Sequence, residues 1–189
     1  MPAADIPVKE RILDCAAELF YRNGIRATGI DRIIAEAGIA KMSLYNQFGS
    51  KDELVLAFLE RRDARWMAWL EQRVALERVT DKRLIALFEA LHDWFSSEDF
   101  RGCAFINASV EAADGKSAAT QSALRHKARL RQFIETLARA ARLRKPEELA
   151  WSLLLLVEGA IVTAQMEGRP DAARRAKKAA MTLISQHAY

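Results

Sequence analysis

The chain has 189 residues, 51% of them hydrophobic, with 29 Lys and Arg against 25 Asp and Glu for a formal net charge of +4. That apolar content builds a core and excludes a disordered chain, and the length fits one domain or a small domain joined to a larger one. The two cysteines, Cys15 and Cys103, exclude a disulfide scaffold or a zinc site, and a charge of +4 is too slight to identify an anionic partner by itself.

Ala, Leu, Arg and Glu dominate, with few Gly and Pro, so the expected class is all-α. Ala3 and Ala4 run into Asp5 without an apolar stretch, so no signal peptide is expected. Pro7 opens a first helix from Val8 to about Arg22, with Ile12, Leu13, Ala16, Leu19 and Phe20 inward, closed by Asn23-Gly24. A second, short helix carries Ile30, Ile33, Ile34 and Ala37 at helical spacing. Gly38 lets the chain reverse, through a left-handed backbone or a close approach. The third helix turns Leu44 and Phe48 inward and leaves Lys41, Met42, Tyr45 and Asn46 outward. A cation, an amide, a phenol and an apolar contact on one small helix suit a DNA major groove. This is a helix-turn-helix.

Ser50 then caps a long helix, with Glu53 completing a capping box, and Leu54, Val55, Phe58, Leu59, Trp66, Trp69 and Leu70 carry it to about Leu76. Thr80-Asp81 starts a helix with Leu84, Leu87, Phe88, Leu91 and Phe95 inward, stopping near Ser96-Ser97. After Arg101-Gly102 a shorter helix spans Cys103 to Ala113. Ser117 leads another to about Arg142, and Pro146 opens one that reaches Gly168. Its longest apolar run, Leu153 to Val157, is far short of the ~20 residues that cross a membrane, so no membrane is expected. Pro170-Asp171 opens the last of about nine helices.

Ala27-Thr28, Ile33, Ala37-Gly38-Ile39, Leu44-Tyr45, Phe48 and Lys51 resemble the signature of the TetR family of bacterial transcriptional regulators, over roughly Val8 to Leu54. The resemblance implies a helix-turn-helix DNA-binding domain at 1–50 and a larger helical effector-binding and dimerisation domain at 51–189. It implies a cytoplasmic repressor released from a palindromic operator by a small molecule, with no cofactor and no catalysis, the long helix from Ser50 acting as pivot. Two positions depart from the pattern. Gly29 and Ala40 stand where the family has Ser or Thr, at helix starts where a hydroxyl would cap and touch phosphate.

At the DNA end, Lys41 and Tyr45 are assigned to base edges and Met42 to a thymine methyl or to packing within the protein. Ser43, Asn46, Gln47, Thr28, the bare amides after Gly29, and Lys51 are assigned to phosphates. The basic run Arg125, Lys127, Arg129, Arg131, Arg139, Arg142, Arg144 and Lys145 lies far along the chain and reads as a solvated helix face rather than a second nucleic-acid surface.

A single helix-turn-helix reads a short half-site, so a homodimer is expected. The last two helices are the candidates, through Trp151, Leu155, Glu158 and Val162 on one and Ala176, Ala180 and Leu183 on the other. An intrachain core is the other reading. For the effector, Trp66, Trp69, Phe88 and Phe105 offer aromatic walls, and His92, Asn107 and Glu111 offer polar groups. Asn107 and Glu111 equally suit bracing a neighbouring helix. Cys103, at a helix start after Gly102, resembles a subset of the family with Gly-Cys there, and is either a thiol sensor or inert core. Two other classes stay open: a small-molecule enzyme or carrier using the same pocket, and an activator or chromosome-organising protein with the same DNA-binding motif. His92, His126 and His187 lie on separate helices with no ligand pattern.

Overall fold

A computed structural model describes residues 6–112 and 114–188. Among the described residues the chain is all-α. The helices are α1 (Val8–Asn23), α2 (Ile30–Ala37), α3 (Lys41–Phe48), α4 (Lys51–Ala75), α5 (Arg83–Phe95), α6 (Ala104–Ala112), α7 (Ala118–Ala140), α8 (Pro146–Glu167) and α9 (Asp171–Gln186), with a 3-10 turn at Thr80–Lys82. They pack as two units: Met1–Asp63 with Ala104–Leu124, and Ala64–Cys103 with Arg125–Tyr189. The first unit thus adds the start of α4, all of α6 and the first turns of α7 to the 1–50 segment. The expected features at Ala3 to Asp5 and at Ala113 lie outside the described residues.

In the first unit, α1 turns Ile12, Leu13, Ala16, Leu19 and Phe20 inward and packs on α2 and α3. Leu44 and Phe48 of α3 are buried there, each stabilising by roughly 1.5–3 kcal/mol. Arg61 of α4 ties to α1, its guanidinium 2.8 Å from Asp14 and donating to the Leu13 carbonyl at 2.7 Å. Gly38 sits at φ 63° and ψ 45°, while a Cβ there would meet open space. The left-handed backbone, and not a close approach, is therefore what calls for glycine. Half of the expected capping box forms. Ser50 Oγ accepts the Glu53 N–H at 3.1 Å, whereas the Ser50 N–H goes to the Phe48 carbonyl.

In the second unit, α9 lies against α8 and α5. Its Ala172, Ala173, Ala176 and Ala180 are buried, because small side chains let helices approach closely. The 3-10 turn delays the start of α5 to Arg83, three residues beyond Thr80. Over its length α8 is apolar enough to cross a membrane on composition alone. Leu149, Ala150, Leu153, Leu154, Val157, Ala160, Ile161 and Ala164 are, however, buried in the protein, the pattern of a core helix.

Candidate nucleic-acid interface

The outer face of α3 is held in place from behind. Leu44 and Phe48 anchor the helix, and Lys41, Met42, Tyr45, Asn46 and Gln47 stand exposed, with Ser43 half-buried. Met42 is 67% exposed and Tyr45 37%, so Met42 does not pack within the protein. Lys41 Nζ lies 3.6 Å from the Asp31 carboxylate with both groups in solvent, a pairing too weak to withhold the cation from a partner. Both α2 and α3 begin after residues that make no side-chain cap, Gly29 and Ala40. Their first amides are left for an anion.

Two residues assigned to phosphate do something else. Thr28 is fully buried, its hydroxyl donating to the Gly24 carbonyl at 2.7 Å. A buried hydroxyl cannot meet a phosphate. Lys51 Nζ donates to the Ile25 carbonyl at 2.7 Å, which fastens one of its three ammonium protons to the α1–α2 turn. A third side chain reaches the same turn: Glu111 of α6 accepts the Arg26 N–H at 2.7 Å. Gly24 leaves room for it at φ 90°, where a Cβ would stand 3.1 Å from that carboxylate. Side chains from three segments thus hold the α1–α2 turn, and with it the point where α2 begins. Spacing alone could not find this brace, because Glu111 is 85 residues from its partner.

A short helix with a polar outer face, following a left-handed glycine turn and backed by α1, is the geometry of a helix-turn-helix. Residues 12–58 match the family described as bacterial regulatory proteins, tetR family, and residues 81–180 match the tetracyclin repressor-like C-terminal domain. The chain belongs to the TetR family. Among its relatives is a transcriptional activator, FasR, of Mycolicibacterium smegmatis, 39% identical over 53% of this chain and 47% of that protein. A transcriptional repressor, ComR, of Escherichia coli is 32% identical over 52% and 48%. The chain thus spans about half the length of the curated relatives it matches. A TetR-family regulator of Streptomyces coelicolor superposes with TM-score 0.88 at 26% identity, covering 96% of each chain. A second, from Streptomyces avermitilis, gives 0.86 at 29%, covering 96% and 98%.

The C-terminal site residues of this TetR-family chain divide. In the second unit, Trp66 is buried, with ring centroids 6.2 Å from Trp69, 5.3 Å from Trp94 and 5.4 Å from His126. Its indole N–H has no hydrogen-bond partner among the described residues. Phe88 is core. His92 meets the Arg174 guanidinium in an exposed contact, 3.0 Å from its Nε2. In the first unit, Phe105 is buried. Asn107 and Glu111 line a water-sized void of about 10 Å³ with Phe20, Tyr21 and Phe58, and Glu111 serves the brace.

The expected dimer residues also separate. Trp151, Leu155 and Val162 of α8 are exposed, and Met166 continues them at 82%. Ala176 and Ala180 are buried inside their own unit, so they cannot meet a second copy. Leu183 is half-buried. Glu158 lies 3.0 Å from Lys127 Nζ, which gives its charge a partner within the chain. Sequence reasoning names His126 and Lys127 only as members of larger sets. The spacing of Ser122, His126, Leu130, Ile134 and Leu137 was the signal for His126, whereas Lys127 looked like one more member of a basic run.

Proposed function

We propose that the chain is a DNA-binding transcriptional regulator that reads a palindromic operator as a homodimer and lets go when a small molecule binds. The observation that carries this is the exposed face of α3, where Lys41, Met42 and Tyr45 stand on a helix whose start, like that of α2, carries no side-chain cap. Lys41 and Tyr45 read base edges, Met42 covers a thymine methyl, and Ser43, Asn46, Gln47 and the amides after Gly29 and Ala40 take phosphates. The exposed α8 row Trp151, Leu155, Val162 and Met166 supports association of two copies, which sets the spacing of the half-sites.

Relatives named as activator and as repressor each match about half of this chain, and the outcome depends on where the operator lies; we favour a cytoplasmic repressor. Selection of binding sites from random duplexes with purified protein tests the reading. A palindrome is expected. Enrichment of no sequence by a folded dimer would reject it.

A further inference from the structure

Within the second unit, α5 and α9 run antiparallel along a seam, with the Arg174 guanidinium 3.0 Å from His92 and Lys177 2.6 Å from Glu89. The same register brings Met181 level with Ile85, and Ser185 level with Asp81. Polar side chains bridge the first two steps of the seam. The next two have no such bridge, and the seam opens into a cleft of about 510 Å³. Arg142 and Leu143, at the end of α7, supply its third wall. Two bonds fasten that wall to α9: the Arg144 N–H donates to the His187 carbonyl at 2.7 Å, and its guanidinium to the Gln186 carbonyl at 2.9 Å. The cleft is therefore built before anything enters it.

Arg142 is the odd residue of the three walls. At the end of α7 the Leu143 N–H donates to the Ala138 carbonyl at 3.1 Å, and the Arg142 N–H to the Arg139 carbonyl at 3.0 Å. A helix that closes with this pair of bonds needs a left-handed residue between them, most often glycine. Arg142 takes that place at φ 54°, with a steric strain that glycine would avoid. No contact of its side chain offsets the strain. Among the described residues its guanidinium makes no hydrogen bond or ion pair, and neither does the Asp81 carboxylate. Strain held at one residue that lines a cleft points to a use for its side chain there.

We propose that this cleft is a small-molecule site for an aliphatic monocarboxylate, with the carboxylate held by Arg142. None of its residues belongs to the expected effector set or to α3, so it does not rest on the regulator reading. Its volume falls within the roughly 300–1,000 Å³ of small-molecule sites, which join an apolar lining to a few placed polar groups. Ile85, Leu143, Met181 and Ile184 form that lining, and no aromatic ring stands among them to favour a ring over a chain. Met181 is 53% exposed, apolar surface that a bound chain covers. A guanidinium meets a carboxylate through two parallel N–H bonds. Asp81, on the α5 wall, repels a second anionic group and restricts the class to monoanions.

Titrating the full-length protein, isotope-labelled at its Ile, Leu and Met methyls, with octanoate and following it by NMR tests the site. The Ile85, Leu143, Met181 and Ile184 methyls are expected to shift together and saturate, a result that needs no variant to fold. Shifts confined to other methyls, or none, overturn the site. Octanol, octylamine and suberate, the dicarboxylate of the same length, should each bind at least about tenfold more weakly, the size of one charge-assisted contact. Any of them matching octanoate overturns the monocarboxylate class. Arg142→Gly separates ligand from fold: octanoate affinity should drop about tenfold or more, while the melting temperature holds or rises as the strain is released. Unchanged affinity, or a lower melting temperature, overturns the role given to the guanidinium. Octanoate binding by Leu155→Glu but not by the wild type would mean that a second copy of the chain fills the cleft, and would overturn the proposal.

Discussion

The one cation of α3 and those of α7 carry the same charge and have different surroundings. On α7, Lys127 lies by Glu158, Arg129 is 3.6 Å from Glu71, Arg139 grips Glu135, and Arg131 stacks on Trp151 at 4.5 Å. On α3, Lys41 meets one solvent-exposed carboxylate, and its neighbours Met42 and Tyr45 carry an apolar contact and a phenol into solvent. A phosphate approaching these α7 cations meets each already beside a carboxylate or an aromatic ring, whereas one approaching α3 finds bare amides and a single lysine with one exposed carboxylate near it. Net charge is therefore a poor guide to which surface takes DNA. The state of pairing is a better one. The same contrast holds for apolar exposure: α3 presents Met42 beside the Tyr45 phenol, while α8 presents the longer row Trp151, Leu155, Val162 and Met166.

The sharpest way to break this comparison is to attack the row on α8. Leu155→Glu should raise the dimer dissociation constant by roughly a hundredfold, about 3 kcal/mol, as for a central contact, with sedimentation reading monomer at micromolar concentration. A dimer that survives unchanged places the contact elsewhere. Tyr45→Ala on α3 should cost about 2 kcal/mol of operator affinity, roughly thirtyfold, while the melting temperature stays put; unchanged anisotropy titrations would remove Tyr45 from the reading face. Thr28→Val probes the brace instead. It strands the Gly24 carbonyl and should cost about 1.5 kcal/mol of stability, with the salt dependence of DNA binding unmoved. A flatter salt slope without any drop in melting temperature would restore the phosphate role. Smallest is Lys51→Ala, expected to cost about 1 kcal/mol of stability and to leave the salt slope where it was. A slope reduced by about one unit would return Lys51 to the phosphates.

Local pattern made the helices and the reading motif legible. The inward spacing of α1, the pair Leu44 and Phe48, Pro146 at a helix start and Ser50 as a cap are all decided within a turn or two of chain. Hence the all-α class, the helix-turn-helix and the outward set Lys41, Met42 and Tyr45 follow from residue order alone. Roles that depend on distant partners do not. Thr28, Lys51 and Glu111 converge on one turn, His92 meets Arg174, Ala176 and Ala180 turn inward, and Lys127 reaches Cys103. Each of these was decided by which helices pack together. A polar side chain commits to whatever donor, acceptor or charge lies within about 3 Å, and only the tertiary fold brings such groups from far along the chain to that distance.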